Sequence, residues 1–179
     1  NAATQTLATI TNDSTVGVGT PVRTINGTSS NDNLIGTSGD DTITGSYGDD
    51  LLVGGLGNDS LIGGSGADAL LGGVGIDSLL GGDDGDRLDG GQGDDIIDGG
   101  ADGQWGDIVD YHQSPSAVIV ILGEGTSAGS ATGGDGNDTL INIEHIFDSH
   151  YSDNLIGNSR DNVFKLSGGD DTVDGGTGH

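Results

Sequence analysis

A gapless nine-residue repeat from residue 27 to residue 98 constrains this chain more than any other feature of its sequence. The segment divides into eight successive nonapeptides, of which GGLGNDSLI (54–62) and GGSGADALL (63–71) are two. Position 1 is Gly in every copy, position 6 is Asp, and position 8 is Leu or Ile. A period this short and regular indicates stacked repeats that share one extended core.

Each nonapeptide predicts one turn followed by one short strand. Gly at positions 1, 2 and 4 permits the backbone conformations that a tight turn needs. We expect residues 7 to 9 to form the strand, with the position-8 side chain alone on the inner face. Two nonapeptides then make one coil of 18 residues. Stacked coils make two parallel sheets that face each other across a thin Leu/Ile core.

Stacking places the position-6 Asp residues in two rows, one along each edge of the sheets. Neighbours in a row are separated by one strand spacing, about 4.8 Å. Their repulsion is about 0.9 kcal/mol per pair in water and several-fold more where water is partly excluded. A cation between successive loops would turn this repulsion into attraction. The rows are Asp32, Asp50, Asp68 and Asp86 on one edge, and Asp41, Asp59, Asp77 and Asp95 on the other.

Composition excludes some classes of binding partner and indicates which cation the loops would bind. The formal net charge is −25, and 27 of the 29 acidic residues are Asp, which argues against binding to nucleic acid or anionic membranes. No apolar run approaches the roughly 18 residues of a membrane-spanning helix. The chain has no Cys, so neither disulfides nor thiolate zinc sites are available. Carboxylate and carbonyl oxygens are the ligands that suit Ca²⁺.

The repeat block resembles the nonapeptide G-G-x-G-x-D-x-U-x of the repeats-in-toxin (RTX) haemolysin-type calcium-binding family, where U is a large apolar residue. The resemblance implies an all-β fold, a right-handed parallel β-roll (β-helix) with Ca²⁺ in its edge loops. Each ion would lie between loops n and n+2. In the family, the first loop offers the carbonyls of positions 2 and 4 and its Asp. The second loop offers the carbonyls of positions 1 and 3 and its own Asp.

Carried over to this chain, the pattern gives six sites between eight loops, for a prediction of about six Ca²⁺ ions. One site combines Gly55, Gly57 and Asp59 with Gly72, Val74 and Asp77. Its neighbour combines Gly64, Gly66 and Asp68 with Gly81, Asp83 and Asp86. The further ligands that the resemblance implies are Asp32, Asp41, Asp50, Asp95, Asp153, Asp171, Gly39, Gly48, Gly54, Gly63, Gly73, Gly75, Gly90 and Gln92.

The first and the seventh repeats depart from the family pattern at position 4. The first has Thr28 and Ser30 at positions 2 and 4, where Gly is usual, and the seventh has Asp84 at position 4. We expect position 4 to need an unusual backbone conformation, which Asp tolerates better than Ser. The site between Asp32 and Asp50 is therefore predicted to be the weakest of the six, and the middle sites the best formed.

Four segments are expected along the chain. Residues 1–26 are Thr-rich and form a cap or a linker, and residues 27–98 form the eight-repeat roll. Residues 99–132 interrupt the period and contain AVIVIL (117–122), which predicts a buried strand. Residues 133–179 resume the roll and end inside a repeat. The missing N-terminal Met and this ending favour a processed piece of a longer protein.

The favoured function is that of a calcium-binding structural module of a secreted protein. Such a module would fold when it meets extracellular Ca²⁺ and would assist secretion and stability. The resemblance implies type I secretion from a Gram-negative bacterium to the medium or cell surface. It also implies that the module belongs to a larger adhesin, toxin or secreted enzyme.

Two other classes of function stay open. Apolar residues at position 9 would point outward in short stripes and favour a glycan-, surface- or partner-binding module. They are Ile35, Val53, Leu71, Ile62 and Leu80. The segment GTSAG (125–129) matches the G-x-S-x-G nucleophile pattern, with Ser127 as nucleophile and His145 as a candidate base. No helix is readable after it, so we expect this segment not to be an enzyme.

Overall fold

The computed structural model describes residues 9–12 and 22–178, and their regular secondary structure is entirely β-strand. None of these residues belongs to a helix long and apolar enough to cross a membrane. Most of the predicted cap or linker at 1–26 lies outside the described residues. The strands before the interruption are β1 (Thr9–Asn12), β2 (Arg23–Asn26), β3 (Asn33–Ile35), β4 (Thr42–Tyr47), β5 (Leu51–Leu56), β6 (Ser60–Ser65), β7 (Ala69–Val74), β8 (Ser78–Asp83), β9 (Arg87–Gln92) and β10 (Ile96–Ala101). The later ones are β11 (Ile108–Asp110), β12 (Val118–Ile121), β13 (Gly129–Gly133), β14 (Asn137–Ile141), β15 (His145–Phe147), β16 (Asn154–Ile156), β17 (Phe164–Lys165) and β18 (Thr172–Asp174).

Successive strands of the repeat block alternate between two sheets. The described strands of one sheet run in the order β1-β2-β4-β6-β8-β10-β14-β13-β12-β16-β18, and those of the other in the order β17-β15-β11-β9-β7-β5-β3. Neighbours within the repeat block are parallel and 18 residues apart, as in the pairs Leu52↔Leu70 and Leu61↔Leu79. The predicted parallel β-roll with an 18-residue coil is therefore confirmed.

In the repeat block, the core consists of position-8 side chains, one from each strand of the two sheets. Leu52, Leu61, Leu70 and Leu88 are fully buried, while position 9 faces outward. Leu71, for example, is 39% exposed beside the buried Leu70. Because only one large side chain per strand enters the interior, the apolar core is thin.

The strands of the repeat block are longer than the sequence predicted. Most contain six residues rather than three, because pairing continues through positions 1 to 3 of the next repeat, as in Gly55↔Gly73 and Leu56↔Val74. Position 1 falls on the inner face, where Gly54 is buried and adds no side chain to the core. Strand pairing therefore continues to position 3, and the bend that joins the two sheets falls at positions 4 to 6.

The interruption is a hairpin inserted into one sheet. Strand β12 is antiparallel to β13, which is antiparallel to β14. The outer members are parallel to the roll, β14 to β10 and β12 to β16. The buried strand expected at 117–122 is present as β12, but it is buried on one face only. Val118 and Val120 are buried, but Ile119 and Ile121 are 48% and 42% exposed, because β12 has the core on one side only.

Candidate calcium sites in the edge loops

A ladder of hydrogen bonds joins the position-6 Asp residues along each edge. The backbone N–H of Asp41 donates to Oδ1 of Asp59 at 2.7 Å, and that of Asp59 donates to Oδ1 of Asp77 at 2.7 Å. On the other edge, the N–H of Asp50 donates to Oδ1 of Asp68 at 2.8 Å. One carboxylate oxygen of each Asp is thereby fixed by the preceding loop.

The second oxygen, Oδ2, is buried without a hydrogen-bond partner in seven of the described loops. The side chains concerned are at most 3% exposed. They are Asp50, Asp59, Asp68, Asp77, Asp86, Asp95 and Asp107. A buried polar group without a partner costs about 1–3 kcal/mol, and more when it is charged. A cation or a proton at these oxygens would therefore stabilise the loops.

Backbone carbonyls border the same space as the unpartnered oxygens. A Cβ added to Gly54 would lie under 3.0 Å from both Oδ2 of Asp59 and the carbonyl oxygen of Gly72 in the next loop. Equivalent pairs flank Gly63, where the neighbours are Oδ2 of Asp68 and the carbonyl of Gly81. Hard oxygens that converge from two adjacent loops fit a Ca²⁺ ion.

Positions 2 and 4 favour glycine because most loops have a positive φ there. Gly55 and Gly57 have φ of 114° and 115°, a region that side chains disfavour. Their carbonyls face the glycines at the same positions of the next loop, Gly73 and Gly75. Asp84 adopts the positive φ of 78° expected at position 4. Ser46 does so at position 2, with φ 94°, which the sequence did not predict.

The structure places the predicted ligand sets on facing sides of adjacent loops. The carbonyl of Val74 points back and accepts a 2.9 Å bond from the N–H of Gly57. The carbonyls of Asp83 and Gln92 accept from Gly66 and Gly75 in the same way. The remaining glycines occupy positions 1, 2 or 4 of these loops, namely Gly39, Gly48, Gly63, Gly64, Gly73, Gly81 and Gly90. Their role as ligands stays a prediction.

The first two loops differ from the others. Oδ2 of Asp32 accepts hydrogen bonds from the backbone N–H of Thr28 at 2.6 Å and from its hydroxyl at 2.8 Å. Oδ2 of Asp41 accepts the same two bonds from Thr37. These two carboxylates therefore have protein donors where the next loops have none.

Both rows continue beyond the repeat block through residues that the sequence analysis missed. The N–H of Asp86 donates to Oδ1 of Asp107 at 2.8 Å, and that of Asp107 donates to Oε2 of Glu144 at 3.0 Å. On the other edge, the N–H of Asp95 donates to Oδ1 of Asp138 at 3.0 Å. The sequence separations are 21, 37 and 43 residues, so the 18-residue period could not reveal them.

Two groups of three carboxylates lie beyond residue 98. Asp102, Asp107 and Glu144 form one, and Asp148, Asp153 and Asp171 form the other, each with carboxylate oxygens within 4.8 Å of one another. Asp153 and Asp171 were predicted as ligands, and the N–H of Asp153 donates to Oδ1 of Asp171 at 3.0 Å. Asp148 was not predicted, because it occupies position 1 of its repeat.

The comparison with protein families agrees with this geometry. The model of the RTX calcium-binding nonapeptide repeat matches residues 26–61, 44–79, 71–103, 130–141 and 151–179. The chain belongs to this RTX family. A comparison with curated proteins found no match. Family membership together with the parallel β-roll makes this RTX chain a calcium-binding module.

Burial raises the pKa of the ladder carboxylates in the RTX roll. The pKa of Asp86 rises to about 8, and those of Asp95 and Asp107 rise to about 7. Asp59 and Asp68 have pKa values raised to about 6. The bond from the preceding N–H lowers each value in part, whereas neighbouring carboxylates raise it further. Near neutral pH, the metal-free ladder therefore holds some of its carboxylates protonated and others charged, and a bound cation would displace the protons and offset the charges.

Proposed function

We propose that this chain is a non-catalytic structural module of a larger secreted protein, and that extracellular Ca²⁺ completes its fold. The observation that carries the proposal is the set of seven buried Oδ2 atoms without partners, aligned along the two edges of a thin core. Ions at these positions would supply the missing contacts and offset the repulsion along each row.

Mass action gives these ions enough influence to control folding. A single site at ten times its Kd contributes about 1.4 kcal/mol of stability. Several such sites together match the total stability of a typical domain, about 5–15 kcal/mol. Extracellular calcium modules have Kd values of order 10⁻⁴–10⁻³ M, so cytosolic calcium would leave them empty. The module would then stay unfolded in the producing cell and fold outside it.

The proposal also includes the number of ions in the repeat block and the route by which the protein leaves the cell. Of the six sites predicted in the repeat block, four begin at a loop whose Oδ2 is unpartnered. These are the sites that begin at Asp50, Asp59, Asp68 and Asp77. The RTX nonapeptides, together with a charge of −25, support secretion by the type I route of Gram-negative bacteria as part of a longer polypeptide.

The environment of Ser127 supports a non-catalytic role. The G-x-S-x-G motif lies in the connection between β12 and β13, not in a strand-to-helix elbow. Ser127 lines a cavity of only about 20 Å³, which has room for about one water molecule. Nε2 of His145 is engaged by the carbonyl of Trp105 at 2.7 Å. Replacing Ser127 with Ala should therefore leave any ester or glycan hydrolysis of the full-length protein unchanged.

Removing one ladder carboxylate from each row tests the calcium role. In an Asp68→Asn, Asp77→Asn variant, we expect a Ca²⁺ titration followed by circular dichroism to need several-fold more calcium for β-structure. Asp170→Asn is a matched control, because it makes the same chemical change at an exposed carboxylate. Equal titration midpoints for the ladder variant and the control would refute the proposal.

A second candidate function is binding of a glycan or a protein partner on the outer face of the seven-stranded sheet. A groove of about 300 Å³ lies there, lined by Leu71, Arg87, Asp89 and Gln113 among others. It combines an exposed apolar side chain with hydrogen-bonding groups. Binding on a glycan array that disappears in a Leu71→Asp, Gln113→Ala variant would support this function, and an array without any signal would remove glycan as the ligand.

A further inference from the structure

The backbone conformation at position 2 separates the loops with an unpartnered Oδ2 from the loops without one. In every loop of the first kind, position 2 has a positive φ. The residues are Ser46, Gly55, Gly64, Gly73, Gly82, Gly91 and Gly100. Thr28 and Thr37, at position 2 of the first two loops, are not among the residues with positive φ. Loop conformation and carboxylate environment therefore change together.

The bonds of Thr37 explain this coupling. Its backbone N–H donates to Oδ2 of Asp41 at 2.6 Å, and its hydroxyl donates to the same oxygen at 2.8 Å. An ionised carboxylate oxygen has about two lone-pair positions, and these two donors occupy both. At Gly55 the residue has positive φ, and Oδ2 of Asp59 receives no donor at all. The first arrangement leaves no lone pair of Oδ2 free for an ion, whereas the second leaves Oδ2 without any donor.

Two loops after the hairpin contain the same hydrogen bond from position 2 to position 6. The N–H of Ser149 donates to Oδ2 of Asp153 at 3.0 Å, four residues further on. The N–H of Asn158 donates to Oδ1 of Asn162 at 2.9 Å over the same spacing. Thr, Ser and Asn are residues that favour such local turns. Four loops with these residue types at position 2 thus share one hydrogen-bond pattern.

Protein donors also close both rows at their far ends. The hydroxyl of Tyr111 donates to Oδ2 of Asp138 at 2.7 Å. In the order of the sheet, Asp138 is the last position-6 Asp on its edge before β13 and β12. On the other edge, Arg160 forms an ion pair with Oε1 of Glu144. Each row of unpartnered oxygens is therefore bounded by protein-supplied donors on both sides.

We propose that position 2 decides which loops of this chain hold Ca²⁺. A loop with positive φ at position 2 binds an ion, and a loop that is capped by Thr, Ser or Asn at this position does without one. Ions then lie in the loops of Asp50, Asp59, Asp68, Asp77, Asp86, Asp95 and Asp107, and none lies in the loops of Asp32 and Asp41. This inference rests on the calcium-binding function and assigns the sites within it. Asp148, a buried carboxylate at position 1, falls outside this rule, so the test relies on differences in ion count.

Opening a capped loop provides the direct test. Thr37→Gly gives the loop GGSGDD, in which Gly39 already occupies position 4. Native mass spectrometry in Ca²⁺ should show one more bound ion than in the unmodified chain. Ser38→Gly is the matched control, because it puts glycine at exposed position 3 of the same loop and leaves the Thr37 cap in place, so the ion count should not change. An unchanged count for Thr37→Gly, with the fold verified by circular dichroism, would overturn the proposal.

A second pair of variants keeps the proposal testable if the glycine variant fails to fold. Asp41→Asn should retain the ion count of the unmodified chain, whereas Asp77→Asn should lose at least one ion. A lower count for Asp41→Asn would show that its loop holds calcium and would overturn the assignment. An unmodified chain that binds no Ca²⁺ would instead refute the calcium function itself, so the two failures are distinguishable.

Discussion

Three residues other than glycine hold a positive φ within the described part of the chain: Ser46, Asp84 and Asn142. Such conformations cost about 1–3 kcal/mol each and persist where the surrounding contacts impose them. Ser46 and Asp84 occupy positions 2 and 4, where most other repeats have Gly. The hydrogen bonds of the stacked loops therefore impose the open conformation even on residues that disfavour it.

Relieving this strain should stabilise the roll. We expect Ser46→Gly to raise the free energy of unfolding in saturating Ca²⁺ by about 1 kcal/mol, because Gly adopts positive φ freely. Thermal unfolding followed by circular dichroism measures the effect. Ser65→Gly is the control, since position 3 has no positive φ and glycine there should be neutral or destabilising. A lower midpoint for Ser46→Gly would contradict the strain argument.

The thin core of the repeat block makes each position-8 residue important. Leu70 is 0% exposed and Leu71 is 39% exposed, although they are adjacent in sequence. Leu70→Ala should destabilise the calcium-loaded roll by about 2–5 kcal/mol, the usual range for a buried Leu. Leu71→Ala should cost less than about 1 kcal/mol. Chemical denaturation of both variants measures the difference, and equal losses would argue against the assigned inner face.

Individual residues could be assigned from the sequence where the nine-residue period determines their position in the coil. Leu70 and the Asp rows could be assigned from the sequence, because a strand alternates its faces and the period fixes which residues stack. The capping bonds of Thr37 could not, since Thr at position 2 is compatible with either loop conformation. The choice depends on hydrogen bonds that only the stacked loops reveal.

At the scale of the ladder, we expect low pH to weaken calcium binding. The raised pKa values apply to the folded, metal-free chain, with Asp59 at about 6 and Asp86 at about 8, against an ordinary 3.8. Their protonation stabilises that metal-free fold fully below pH of about 4, and this stabilisation disappears as the pH rises through about 6 to 8. Because Ca²⁺ must displace these protons, calcium binding should show the opposite dependence.

Two measurements check the pH dependence. The Ca²⁺ concentration at the folding midpoint should rise steeply as the pH falls from 8 to 5. Calorimetry in buffers of different ionisation enthalpy should show proton release on calcium binding near pH 7. A midpoint that does not depend on pH over this range would mean that the buried ladder carboxylates do not take part in binding.

The inserted hairpin limited what the sequence could predict at this scale. Strands β12 and β13 separate β14 from β16, so the 18-residue period no longer identifies neighbours. Asp138 therefore joins the ladder 43 residues after Asp95, through sheet contacts between distant segments. Asp107 was missed for a simpler reason, because its loop contains three extra residues.

Tyr111 links the hairpin region to the ladder and can be tested separately. Its buried hydroxyl donates to Oδ2 of Asp138 at 2.7 Å. Tyr111→Phe should destabilise the calcium-loaded protein by about 1–3 kcal/mol, because it leaves a buried carboxylate oxygen without a donor. Tyr151→Phe, at a side chain that is 48% exposed, should change the unfolding free energy by less than about 0.5 kcal/mol. Equal effects of the two substitutions would contradict a capping role for Tyr111.

For the whole molecule, a thin core has to hold together a chain with a net charge of −25. Seven divalent ions would offset about half of this charge and would do so along the two edges where the buried carboxylates lie. The repeat predicted this architecture because period, turn residues and core positions all indicate the same coil. The arrangement makes the folded state depend on calcium rather than on apolar burial alone.

The most direct test of calcium-dependent folding is a Ca²⁺ titration of the unmodified chain after complete removal of calcium. Binding would be followed by calorimetry and secondary structure by circular dichroism at pH 7.5. We expect a chain with little β-structure before calcium, and a cooperative gain of β-structure with uptake of at least seven ions. A calcium-free chain that is already β-rich, and that does not change when Ca²⁺ is added, would contradict it.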